Sequence, residues 1–203
     1  MIRVVGPRSC PEMHQPNNPI FVNTTSRSQM WGKRLSPFFA GPCPLYDGAP
    51  CEESKNVENG WQYSKVYPSV FPNHIGSDGN PTDEWRRWAK IGYLTDRGIR
   101  YPVGKGVKPA YAWWKGKQLG YLESRKEIYI PLYSTAVKQT DAYQRLVELL
   151  KERGEVVLWD FDGYDRRAAG KSLQDVADDP LRPMGHSFVL EMLLREEVGD
   201  DDD

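Results

Sequence analysis

The sequence predicts an α+β protein, mostly helical, folded as a single domain with a small β-sheet. Three observations carry that expectation. A length of 203 residues sets one core. Residues 141–152 (DAYQRLVELLKE) repeat apolar side chains at helical spacing. Directly after them, Glu155 to Phe161 (EVVLWDF) joins β-branched and aromatic residues between Gly154 and Gly163, as a strand does.

Taken in order, residues 1–30 read as an irregular N-terminal segment, because Pro11, Pro16 and Pro19 interrupt a polar stretch. Only Ile20 to Thr25 there suits a short strand. The folded domain is expected over 31–198. Asn56 caps a first helix running to about Tyr67, closed by Pro68. Thr82, after Pro81, caps a second, in which Trp85, Trp88 and Ala89 share a face. Thr95 to Leu122 is rich in Gly, Lys and aromatics without a steady period, so it is a long functional loop or a set of short strands. Ser124 and Glu127 have capping-box spacing and open a third helix, which Pro131 must kink or interrupt. The last helix runs from near Ser187 to Val198 and stops at Gly199, leaving 199–203 as an acidic tail.

Hydrophobic residues make up 39% and charged residues 27% of the chain, which excludes charge-driven disorder; Gly 18 and Pro 16 are too few for a collagen-like polymer. The net charge of -1 conceals a separation. Arg86 to Lys126 holds eleven Lys and Arg against Asp96 and Glu123, whereas from Glu155 onward five basic residues face fourteen acids. A uniformly basic nucleic-acid binder is excluded, but a local phosphate site is not. Cys10, Cys43 and Cys51 are odd in number, without a CxxC pair or a disulfide framework. No apolar run approaches about 18 residues and no signal-peptide pattern opens the chain, so a cytoplasmic protein is expected.

Three constellations could carry chemistry. Glu58, Gln62 and Lys65, at i, i+4 and i+7 of the first helix, share a face that could hold a polar ligand or could be an exposed face with ordinary helical pairing. Asp160, Asp162 and Asp165 emerge where the strand ends, either as base, nucleophile or metal ligand at a cleft mouth or as solvated turn residues. Arg97, Arg100, Lys105, Lys108, Lys115 and Lys117 alternate with Tyr93, Tyr101, Tyr111, Trp113, Trp114 and Tyr121. That mixture suits a nucleotide or a single strand of nucleic acid, or else snorkelling cations over a Trp-rich core. His14, His74 and His186 lie far apart; Cys10 and His14 lack a second ligand pair for zinc, and His186 reads as a local hydrogen-bonding residue.

The order of motifs adds to this. LSPFFAGPCPLYDG (Leu35 to Gly48) followed by NVENGWQYSK (Asn56 to Lys65) resembles the opening of NADAR-family proteins, which read F-S-N-F-Y, a D-G turn, then V-E-H-x-x-Q-x-x-K. Ser36, Phe38, Phe39, Asp47, Gly48, Val57, Glu58, Gln62 and Lys65 keep that order. LWDFDGYD, with Tyr164 and Asp165, and MGHSFVLEMLL from Met184 resemble the family's closing turn and last helix. Pro37, Asn59, Ala168 and Ser187 depart from its usual Asn, His, Trp and Asn.

The resemblance implies a NADAR-like domain that hydrolyses an N-glycosidic bond in a phosphorylated riboside, nucleotide or ADP-ribosyl adduct. It implies Glu58, Asp165 and a central Trp, either Trp113 or Trp114, as catalytic residues. Gln62, Lys65, Phe38, Phe39, Lys105 and Tyr164 are the expected substrate contacts. No cofactor or metal is implied. The partner is a small nucleotide or ribosylated substrate, with nucleic acid an alternative and a membrane excluded. The competing functions are a non-catalytic nucleotide or ADP-ribose binder and a base-extruding nucleic-acid glycosylase.

Overall fold

The computed structural model describes residues 1–8 and 20–199. Cys10, His14, Pro11, Pro16, Pro19 and the aspartates of the tail lie outside the described residues. The chain opens on β1 (Ile2–Val5), continues to β2 (Phe21–Asn23) and makes a 3-10 turn at Trp31–Leu35. Strands β3 (Cys43–Pro44) and β4 (Glu53–Ser54) precede α1 (Val57–Gln62) and β5 (Lys65–Val66). Helix α2 (Asp83–Tyr93) is followed by the hairpin of β6 (Tyr111–Trp114) and β7 (Lys117–Leu119). Helix α3 (Tyr121–Ser124) passes through a π turn at Arg125–Tyr129 into α4 (Ile130–Lys138). Helix α5 (Asp141–Arg153), β8 (Val156–Trp159), α6 (Leu173–Asp178) and α7 (His186–Val198) complete it.

The architecture is mixed α+β. In place of one small sheet, the described residues form three: β1-β8-β2, β3-β4 and β5-β6-β7. Two compact units are distinguished, one from Met1–Ser36 with Val137–Asp203 and one from Pro37–Ala136.

In the first unit, β8 is the middle strand, parallel to β1 through Ile2↔Val156 to Val5↔Trp159 and to β2 through Phe21↔Val157 to Asn23↔Trp159. A central parallel strand is covered by its neighbours, and Val156, Val157 and Leu158 are accordingly an uninterrupted buried run. The irregular N-terminal expectation is corrected here. Ile2, Val4 and Val5 are buried strand residues whose sheet partner among the described residues, Val156–Trp159, lies at the far end of the chain, so no local pattern announces them. Helix α5 packs on β8 and α7 packs on β1. The Thr140 hydroxyl caps α5 by accepting from Tyr143 N–H at 3.1 Å, and Gly154 ends it at φ 71°, where a Cβ would be strained.

The second unit is built on Tyr63, Val66, Trp85, Ala89 and Tyr93. Thr82 caps α2 as expected, and Trp85 and Ala89 are fully buried on its inner face. The Gly-, Lys- and aromatic-rich stretch resolves into a loop and the β6–β7 hairpin. Its two-residue turn, Lys115-Gly116, has φ 50° and 78°, the positive pair that matches the right-handed twist of the strands.

Two helix boundaries differ from expectation. The first helix ends at Gln62 and Lys65 opens a strand instead, paired with Ala112. The third begins at Tyr121 rather than at Ser124, because the Glu123 carboxylate reaches back to Gly120 N–H at 2.8 Å. Pro131 does not break it. The π turn lets Ile130 N–H reach Arg125 C=O, and this shifted register carries the chain past the proline, which has no N–H to give. No helix of the described residues is long and apolar enough to cross a membrane.

Candidate functional site around helix α1

Helix α1 is only one and a half turns long, and its N-terminal amides are claimed by neighbouring residues. Val57 N–H donates to Ala40 C=O at 3.0 Å, Glu58 N–H to Pro37 C=O at 2.9 Å, and Asn59 N–H to the Asn56 side chain at 2.9 Å. Segment 37–40 thus collars the helix start. Phe38 packs beside Gly98, and Phe39 is exposed.

Glu58, Gln62 and Lys65 come together. Gln62 Nε2 donates to Glu58 Oε1 at 3.0 Å, and Lys65 Nζ donates to Gln62 Oε1 at 2.7 Å. The exposed-face alternative fails for the two helical residues, since Glu58 is 5% and Gln62 8% exposed. Lys65 joins them from the strand, and its Nζ sits 4.4 Å from the Trp61 ring centroid. Burial pushes the Lys65 ammonium down to about 8; Glu58 opposes that shift and the Arg100 guanidinium adds to it. Trp61 also meets Tyr129 of the π turn, ring centroids 5.5 Å apart. Buried Arg125, on the same turn, donates to the Tyr121 hydroxyl at 2.9 Å.

A second feature is a clamp on the basic loop. Asn59 Nδ2 donates to Thr95 C=O at 2.7 Å and to Arg97 C=O at 3.0 Å, while its oxygen accepts Ile99 N–H at 2.8 Å. Asn56 Nδ2 adds a bond to Asp96 C=O at 3.1 Å. Both asparagines are buried. Asn59 has this structural use: its amide supplies two donors and an acceptor to backbone groups, a set imidazole cannot match.

The tryptophans part company because strand side chains alternate. Trp113 packs against the Tyr63–Trp85–Tyr93 core. Trp114 meets Tyr46 edge-on at 4.6 Å beside a cleft of about 420 Å³ lined by Leu45, Tyr46, Asp47, Trp114 and Lys115. The ring under Lys65 is Trp61, which the sequence reading did not single out. Lys105 is exposed in the loop between Gly104 and Gly106.

The acidic constellation belongs to the first unit. Asp160 is buried against His186, Nδ1 to Oδ2 3.1 Å, and accepts Ser187 N–H at 3.2 Å. Nε2 of His186 lies 2.9 Å from Thr24 C=O, so both ring nitrogens face oxygen partners. Burial works to raise the Asp160 carboxyl, but His186 and the hydrogen bonds outweigh it and hold the group below its ordinary value. Asp165 is partly exposed, ion-paired with Arg3 at 3.4 Å, and its other oxygen accepts Ala168 N–H at 3.1 Å. Tyr164 packs on Phe188, under the Arg182 guanidinium. Among the described residues no cluster of His, Cys, Asp and Glu could hold a metal ion.

Comparison of the chain with protein-family models, curated proteins and solved structures finds no match.

Proposed function

We propose that this chain hydrolyses the N-glycosidic bond of a phosphorylated riboside, nucleotide or ADP-ribosyl adduct, the activity its resemblance to the NADAR family implies. The observation supporting the reading is the buried Glu58 carboxylate, fixed by Gln62 in a relay that ends on Lys65 above Trp61. Breaking the C1–N bond leaves positive charge on the ribose. A fixed carboxylate in a poorly solvated site stabilises that charge without reorganising. Water then forms the new C1–O bond, the C1–N electron pair leaves with the base, and the proton lost by water ends on the departing nitrogen through a carboxylate. Glu58 takes the stabilising role.

The test is to incubate the protein with a panel of N-ribosides, with and without phosphate, and to follow release of free base by chromatography. Base release is expected, and Glu58→Gln should abolish it while circular dichroism stays unchanged. Release that survives Glu58→Gln, or none from any panel member, refutes the reading. A second reading, a non-catalytic nucleotide or ADP-ribose binder, draws on Asp165, whose oxygens are engaged by Arg3 and Ala168. Thermal stabilisation by ADP-ribose without turnover would favour it.

A further inference from the structure

The geometry points to a binding site for a free aromatic α-amino acid in the cleft between the β3–β4 loop and the β6–β7 turn, with Asp47 taking the ammonium and Lys115 the carboxylate. This goes beyond the glycosidase reading, since none of these residues belongs to the Glu58 relay. The cleft, of about 420 Å³, lies within the range of roughly 300–1,000 Å³ that small-molecule sites occupy. Leu45, Tyr46 and Trp114 give it apolar lining, and the two rings meet edge-on at 4.6 Å. An aromatic side chain laid beside them extends that pair into a cluster.

Two opposite charges line the same cleft from separate segments of the chain. Asp47 comes from a loop tied at both ends: Leu45 N–H donates to Glu52 C=O at 2.8 Å and Ala49 N–H to Tyr46 C=O at 2.9 Å. Arg86 of α2 holds its tip by donating to Gly48 C=O at 2.7 Å. Lys115 comes from the hairpin turn. Both charged residues are exposed, yet they form no ion pair with one another or with any other described residue. Opposite charges held apart on one cleft suit a ligand that carries an ammonium and a carboxylate on a single carbon. A plain anion or a plain cation would leave one of the two facing a like charge. The backbone of Lys115 is a second, independent observation. Among the described residues it is the one non-glycine at positive φ, 50°, in a turn position that Asn, Asp or Gly usually fills. A lysine held there lowers stability, and strain of this kind gathers at binding sites.

Titration calorimetry of the whole chain tests the proposal with L-phenylalanine and L-tryptophan. Each is compared with its own amine and acid analogue: phenethylamine and 3-phenylpropanoate, tryptamine and 3-indolepropanoate. At least one amino acid should bind about fivefold more tightly than both of its analogues. Asp47→Asn should remove its advantage over the acid, and Lys115→Gly its advantage over the amine. Because glycine adopts positive φ freely, Lys115→Gly should keep or raise Tm, so its loss of binding cannot come from damage to the fold. Glu58→Gln should leave the amino-acid affinity unchanged. No binding of either amino acid overturns the site, as does an analogue that binds as tightly as its parent. Loss of binding in Glu58→Gln also overturns it, since the ligand would then sit on α1. Adenosine monophosphate bound in place of both amino acids, and released by Lys115→Gly, would make the cleft a nucleotide site and refute the assignment.

Discussion

Replacing Lys65 by methionine keeps most of the stem and removes the ammonium that sits over Trp61. In the folded chain that group titrates at about 8, against 10.5 for an ordinary lysine. A base with a depressed folded pKa costs stability wherever it must carry its proton. The cost is fully present below the folded value and disappears as pH rises through the unfolded one. Between pH 7 and pH 10 the wild-type protein should therefore gain about 2–3 kcal/mol relative to Lys65→Met, at about 1.4 kcal/mol per tenfold in proton affinity. The lost bond to Gln62 and the lost contact with Trp61 shift the variant's stability by an amount largely independent of pH, so they cancel from the slope. Urea unfolding of both proteins at several pH values across this range measures it. Parallel stability curves would show that the Lys65 ammonium is hydrated, and the account of a buried relay from Glu58 would fail.

Asp160→Asn should destabilise the first unit by about 2 kcal/mol at neutral pH, because a neutral amide replaces the carboxylate that meets His186 Nδ1 and accepts Ser187 N–H. The wild-type advantage is present above the ordinary carboxyl value of 3.8 and is lost as pH falls through the lower folded value, so denaturation midpoints of the two proteins should converge in acid. Gly92→Ala sets two effects against each other. Helix propensity favours alanine by about 1 kcal/mol, but the new Cβ would overlap the Tyr63 ring, which Trp88 backs at 4.7 Å. Overpacking of roughly 2–3 kcal/mol should win and lower Tm; a higher Tm would contradict the Tyr63 placement.

The features legible in the sequence are those held by neighbours along the chain. Thr82 and Thr140 cap their helices through amides three residues on, and Gly154 and Gly199 close α5 and α7 with positive φ. The burial of α5 along one face follows from spacing alone. Even the pairing of Glu58 with Gln62 could be read, because one helical turn separates them. Helix α6 was missed although Ser172 and Asp175 form a capping box, since a six-residue helix offers too little periodicity to register.

What the sequence by itself determined, then, is the capped starts of α1, α2 and α5, the run of α7 to Gly199, strand β8, the charge separation and the candidate residues on α1. Tertiary structure decided the rest. It gave β1 a partner at Val156–Trp159, turned Lys65 from a helical position into a strand that still reaches Gln62, and put Trp61 rather than Trp113 or Trp114 beneath that ammonium. It also gave Asn59 three backbone groups of a loop that begins 36 residues further on. The physical reason is range. Caps and helical faces are enforced by contacts within about four residues, whereas strand pairing, burial of a charge and the clamping of a loop exist only once distant segments have displaced water from one another.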